Sequence, residues 1–356
     1  VKPDSGSPQG GGSLAELGEF GLIHALAARF PASPAAIVGI GDDAAVLAAP
    51  DGNVVAAVDF LLEGRHFRRA WSSGRDVGVK AAARSLADIA AMGAVPTTLL
   101  IALAVPESLP ADWVLDFASG VAAECERAGA GVAGGDTARA DSVIVSVTAL
   151  GSLPSALAAV RRSGARPGDV VAVAGPLGYS AAGLALLAAG VAAGLAGPGS
   201  APVPDAAGSL AALVAAHLRP SPPYAAGLTA ARLGATAMID TSDGLLADLG
   251  HIAGASGVAV DVSTERLAIP EPLLAAAQLL GQNSPPVTSP VVPAAFPAAM
   301  EWVLTGGEDH SLAATFPAGV ALPEDWRVIG VVRSGSGVTV DGETFAGAAG
   351  WEHFRR

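Results

Sequence analysis

Cysteine occurs once in the 356 residues, as Cys125. A single thiol excludes an intrachain disulfide and a cysteine-built zinc site, and it is compatible with a reducing compartment. Basic residues are also scarce: 20 Lys+Arg stand against 33 Asp+Glu, a net charge of −13. That balance argues against a nucleic-acid binder, whose affinity comes mainly from Lys and Arg on phosphates. No GxxxxGK[ST] loop occurs, so a P-loop nucleotide site is not expected. HExxH and a Gly-x-Ser-x-Gly elbow are absent too, which removes the zinc-protease and serine-hydrolase readings. What is abundant is apolar: 51% of residues are hydrophobic and 15% charged, which excludes a disordered chain. Mean hydropathy is +0.49. That is high for a soluble monomer, and it points to a subunit interface or a membrane contact.

The membrane reading turns on residues 170–204, which contain no charge. Pro176 and Gly178 interrupt the run early, and most of the rest is Ala and Gly. No Lys/Arg cluster flanks it closely, so a strand followed by a buried helix is the better reading. Residues 1–13 have no apolar core, so they are read as a flexible tail and not as a signal peptide. A cytoplasmic protein with no membrane or nucleic-acid partner is expected.

Periodicity predicts helices over 14–30, 76–92 and 111–128, and strands over 54–62, 97–105 and 142–150. In the last, Val143, Val145, Val147 and Ala149 share one face. Arg166-Pro167-Gly168-Asp169 is a turn signal and marks a domain boundary. The expected division is an N-terminal domain over 14–165 and a C-terminal domain over 166–356. The second half repeats strand and helix, has a Pro/Ser-rich insertion over 282–297, and closes with a hairpin over 328–340. Strands alternating with helices give an α/β or α+β layered fold.

Charge is scarce, yet aspartates stand beside glycines at the ends of apolar runs: Asp42-Asp43, Asp59, Asp88, Asp136, and Asp240 with Asp243. Each alone fits a helix cap or a turn. Together they point to one shared site, because a carboxylate near a core must be paired or metal-bound, and few cations are nearby. All-oxygen ligands suit Mg²⁺, Mn²⁺ or Ca²⁺. The implied chemistry is a phosphate ligand held through cations. Lys80, Arg84 and Asp88 form one row along the second predicted helix, read either as a solvated face or as support for the same site. His66 follows the Asp59 strand and is placed at the same pole.

These motifs, with Gly18-Glu19-Phe20, Gly39-Ile40-Gly41-Asp42-Asp43, Glu63-Gly64-Arg65-His66-Phe67, Gly134-Gly135-Asp136-Thr137, Asp240-Thr241-Ser242-Asp243-Gly244 and Gly306-Gly307-Glu308-Asp309, resemble thiamine-monophosphate kinases in order and spacing. That group sits within the aminoimidazole-ribonucleotide synthetase-like superfamily. The resemblance implies a two-domain α/β fold of that type, with the N-terminal sheet pairing across a homodimer. It implies ATP- and Mg²⁺-dependent phosphorylation of thiamine monophosphate to thiamine diphosphate by direct in-line transfer. By position it implies several Mg²⁺ ions on Asp43, Asp59, Asp88, Asp136, Asp240 and Asp243. Gly135, Asp136, Arg162 and Ser242 are implied at ATP, with Arg162 stabilising the transferring group. His66, Glu308 and Trp351 are implied at the substrate. The chain departs from the pattern at Val58, Ser85, Ala87, Tyr179 and His310-Ser311. Alternatives are another ATP-dependent member of the superfamily or a non-catalytic thiamine-phosphate or nucleotide-binding regulator.

Overall fold

The computed structural model describes residues 22, 25–38, 46–50, 52–191, 205–281, 298–345, 347 and 349–350. The helix expected over 14–30 is described only in part. Asp43, Trp351 and the 282–297 segment lie outside the described residues.

The N-terminal half holds β1 (Ala36–Val38), β2 (Val46–Leu47), β3 (Val54–Leu62), α1 (Gly74–Ala91), β4 (Val95–Val105), α2 (Ala111–Ala128), β5 (Gly131–Arg139) and β6 (Ile144–Ser152). The second half holds β7 (Val170–Ala174), α3 (Tyr179–Ala188), α4 (Asp205–Leu218), α5 (Tyr224–Arg232), β8 (Ala237–Asp240), α6 (Leu245–Ser256) and β9 (Ala259–Val262). It continues through α7 (Glu271–Gly281), α8 (Ala298–Thr305), β10 (Leu312–Phe316), β11 (Trp326–Arg333), β12 (Gly337–Val340) and β13 (Glu343–Thr344).

Two large sheets result: a four-stranded one in the order β3-β6-β4-β5, and a seven-stranded one in the order β13-β12-β9-β11-β7-β10-β8. In β6 the odd-numbered residues Val145, Val147 and Ala149 are buried and their even-numbered neighbours half-buried, as the alternation predicts. In β7 both faces are covered. Val171 and Val173 join one apolar cluster with α3, α4 and α6, while Ala172 and Ala174 join another that includes α1. Double coverage is why this strand reads as an unbroken apolar run.

Helix α1 lies between the two sheets, against β6 and β3 on one side and β8 on the other. It begins at a capping box, in which Ser73 accepts from the Asp76 N–H and the Asp76 carboxylate accepts from the Ser73 N–H. It packs closely on α2 because glycines face backbone. A Cβ at Gly78 would meet the Phe117 carbonyl oxygen at 2.1 Å, and one at Gly120 the Arg75 carbonyl oxygen at 2.1 Å.

The closing hairpin expected over 328–340 does not form. β11 and β12 do not pair with each other; β9 lies between them, antiparallel to β11 and parallel to β12. Gly335 and Gly337, both at positive φ, carry the chain past β9. The uncharged run over 170–204 begins as β7 and α3, and no described helix is long and apolar enough to cross a membrane.

Candidate active site

A cavity of about 620 Å³ opens between the sheets. One end is acidic. Asp59 comes from β3, Asp88 from the last turns of α1, Asp240 from the end of β8, and Asp243 from the turn into α6. Asp59 accepts from Ser85 Oγ at 2.9 Å. Burial, then the Asp240 and Asp59 charges, push the Asp88 carboxyl up to about 8. Crowded carboxylates of this kind repel one another until a cation or a proton sits among them. All donors are oxygen, so the set fits a hard divalent cation. Asp248 is buried nearby but accepts from the Asp243 and Gly244 N–H groups, so it caps its own helix.

In the Lys80–Arg84–Asp88 row, Arg84 and Asp88 line this cavity and Lys80 is buried, which removes the solvated-face reading. The Lys80 side chain is 2% exposed, and its Nζ lies 2.9 Å from Glu308 Oε2. Lys80 also donates to the His66 carbonyl oxygen at 3.2 Å. Arg84 Nη1 lies 2.5 Å from the other Glu308 oxygen. Burial alone would raise the Glu308 carboxyl; Lys80 and Arg84 overcome it and hold it well below the usual range. Burial lowers the Lys80 ammonium against the pull of Glu308.

Two chain segments are laced together to hold Glu308. Its N–H donates to Ser242 O, and the His310 N–H donates to Thr241 O. Thr241 N–H returns a bond to Ser311 O. Gly307 is needed for this approach, since a Cβ there would sit 2.7 Å from Ser242 O. Glu308 and His310 both adopt positive φ, at 68° and 51°. For non-glycine residues that conformation costs roughly 1–3 kcal/mol each and concentrates at functional sites.

His66 lies in the cavity wall beyond β3. Its Nδ1 accepts from the Leu62 N–H at 3.0 Å, which leaves the ring proton of the neutral form on Nε2. Ser242 is also in the wall. Sequence reasoning missed several wall residues. His310 Nδ1 lies 3.0 Å from Asp240 Oδ2. His217 bonds Ser180 Oγ, and burial, then Lys80, push its imidazolium down to about 3. Trp71 carries the Arg68 guanidinium 4.7 Å from its ring centre. His310 was visible only as a departure from the motif, and His217 gave no signal. Asp309 is fully buried away from the wall. Its carboxylate accepts from the Gly178 and Ser180 N–H groups at the start of α3. Asp309 therefore caps the start of α3.

Gly135 and Asp136 are elsewhere. They line a separate hollow of about 110 Å³ with Leu26 and Phe30. On the sheet, Asp136 aligns with Ala102, Ser146 and Phe60, one register position beyond Asp59. It therefore sits on the opposite face and three strands away, about 14 Å at the usual strand spacing. Arg162 is exposed and outside the cavity wall, yet its charge still favours ionisation of Asp88.

Residues 41–153 match the family model described as AIR synthase related protein, N-terminal domain. The chain is 43% identical over 344 residues to the thiamine-monophosphate kinase of Mycobacterium tuberculosis, covering 96% of this chain and 93% of that one. It is 38% identical to the one from Corynebacterium glutamicum, covering 97% and 96%. The chain belongs to the thiamine-monophosphate kinase family. Two solved family structures superpose on it. That of the Stenotrophomonas maltophilia kinase has a TM-score of 0.74 at 35% identity, covering 90% of this chain and 96% of that one. AaThiL complexed with AMPPCP and TMP has a TM-score of 0.73 at 33% identity, covering 96% and 98%. The expected superfamily fold is thereby established.

Proposed function

We propose that this protein transfers the terminal phosphoryl group of ATP to thiamine monophosphate, yielding thiamine diphosphate and ADP. The observation that carries the reading is the convergence of Asp59, Asp88, Asp240 and Asp243 on one cavity, in a chain 43% identical to a thiamine-monophosphate kinase. The acceptor is already a phosphate oxyanion, so no general base is required to ionise it. The problem is to bring two anions together in line. Mg²⁺ is the cation these carboxylates fit, and when bound it supplies the charge neutralisation this encounter requires. The chain's own residues then orient the groups. Asp59, Asp88, Asp240 and Asp243, with Asp43 and Asp136, would hold the ions. Ser242, Gly135 and Arg162 would contact ATP, Arg162 meeting charge on the transferring group. His66, Glu308 and Trp351 would hold the substrate, and transfer is direct, with no phospho-enzyme.

The reading is a homodimer of cytoplasmic chains, each with an ATP/Mg²⁺-binding domain over 14–165 and a second domain over 166–356. Its support is the edge of the four-stranded sheet at β3, unpaired on its outer side among the described residues. On β3, Val54, Val58 and Phe60 are exposed on one face, Phe60 at 57%. Exposed apolar edge strands are normally covered. Asp59 and Asp136 lie on opposite edges, so pairing edge to edge around a two-fold axis would bring Asp136 of the partner subunit toward Asp59.

The test is mass spectrometry of products from purified protein, ATP, Mg²⁺ and thiamine monophosphate, with EDTA and unphosphorylated thiamine as controls. Thiamine diphosphate and ADP formed only in the complete mixture establish the reaction. Tight binding of both ligands without ADP release would instead make the protein a regulator.

A further inference from the structure

The Glu308 carboxylate is shared by two cations. Lys80 takes one oxygen at 2.9 Å and Arg84 the other at 2.5 Å. One negative and two positive charges leave an excess of one positive charge in the cavity wall, beside the acidic end. Lys80 is enclosed: its side chain is 2% exposed, and it also holds the His66 carbonyl oxygen. Arg84 is placed differently. It lines the cavity, and its Nε is buried with no hydrogen-bond partner. A guanidinium has five N–H donors in a fixed fork, and a buried donor without an acceptor is unfavourable. The Arg84 charge also acts on Asp88, one helical turn away. The guanidinium therefore lies between Glu308, which fixes its orientation, and the carboxylates that fit Mg²⁺.

We propose that Arg84 is the specificity-determining residue for the acceptor's phosphate: its guanidinium takes the phosphomonoester of the substrate and distinguishes it from the unphosphorylated alcohol. The inference rests on the proposed transfer to thiamine monophosphate and deepens it. Planar, bidentate recognition of phosphate oxygens is what a guanidinium does and an ammonium does not. Glu308 has the role of holding the fork in place, and through it the substrate's phosphate. The other cations near the cavity are placed less well. Arg65 and Arg68 line it but are exposed, Arg68 stacked on Trp71, and Lys80 is enclosed behind Glu308. A plain structural ion pair predicts something else: loss of Arg84 would disturb Glu308 and weaken all ligands alike.

The full chain is tested with Mg²⁺ and a non-hydrolysable ATP analogue. Equilibrium binding of thiamine monophosphate and of thiamine is compared in wild type, Arg84→Gln and Arg84→Lys. Arg84→Gln should weaken thiamine monophosphate by about tenfold or more while thiamine shifts by less than about threefold. In turnover, the KM for thiamine monophosphate rises and that for ATP holds. Arg84→Lys keeps a charge at Glu308 and loses the fork, so the preference should fall partway. Equal weakening of both ligands, or an unchanged ratio, overturns the proposal. If Arg84→Gln does not fold, the ratio in Arg84→Lys decides. A wild type that neither binds nor phosphorylates thiamine monophosphate removes the proposed function itself, a failure visible without any variant.

Discussion

His310 Nδ1 lies 3.0 Å from Asp240 Oδ2, and both side chains are buried at the junction of β8 and β10. The contact links a backbone-strained residue, at φ 51°, to a carboxylate in the cavity wall. His310 can orient Asp240 through this contact. Partners of this kind are worth about 10–100-fold in metal affinity when removed.

The first prediction follows. His310→Asn removes the imidazole, and Asn tolerates positive φ better than most residues. The Mg²⁺ concentration for half-maximal activity should rise by about tenfold, with the KM for thiamine monophosphate little changed. A Mg²⁺ titration of both proteins checks this. The same half-saturation in both would show that the contact serves packing alone.

Asp88 supplies the second. Burial and its two acidic neighbours push its carboxyl up to about 8. Its folded value thus lies above the unfolded value near 3.9. The folded protein holds the proton more tightly, so without cations the contribution of Asp88 to stability is greatest at acid pH. It declines as pH rises from about 4 to about 8. A divalent cation must displace that proton. The Mg²⁺-induced rise in thermal midpoint should therefore be larger at pH 8.5 than at pH 6. Thermal melts with Mg²⁺ or EDTA at the two pH values measure it. A Mg²⁺ effect independent of pH would exclude proton displacement from Asp88.

Asp88→Asn gives the third. Removing one of three mutually repelling carboxylates should raise the metal-free thermal midpoint by about 2 °C or more, since about 1 kcal/mol moves a chain of this size by that order. Turnover should fall by at least about 100-fold for loss of a ligand. A variant that is both less stable without cations and fully active would refute the placement of Asp88 at a cation.

Much of this was legible in the sequence, and what was not has physical causes. The bounds of β3 and α2 follow directly from period and turn signals, because local patterning decides them. Asp59, Asp88, Asp240 and Asp243 stood out because a carboxylate after an apolar run has few cheap explanations. The tie between Arg84 and Glu308 spans 224 positions, and no local pattern encodes such a contact. Asp309 looked like its neighbour Glu308 in sequence. Only the positive φ at 308 and 310 shows the backbone turning successive side chains to different surroundings. The β11–β12 hairpin failed for the opposite reason. Two strands and a glycine turn look the same whether they pair or admit a third strand between them.

The separation of Asp59 from Asp136 supports a last prediction. Within one chain they lie on opposite edges of a four-stranded sheet and on opposite faces. If both serve one site, the sheet must meet a second copy. Phe60→Lys, on the exposed face of β3, should then shift the protein toward monomer in light scattering and lower turnover together. A sharper measurement uses two inactive variants. Asp59→Asn and Asp136→Asn are co-expressed, so that half of the dimers are mixed. In each mixed dimer one composite site carries both substitutions and the other carries neither. About a quarter of wild-type activity should return, as two-fold symmetry requires. If each chain instead builds its own complete site, every site in the mixture carries a substitution, and no activity returns.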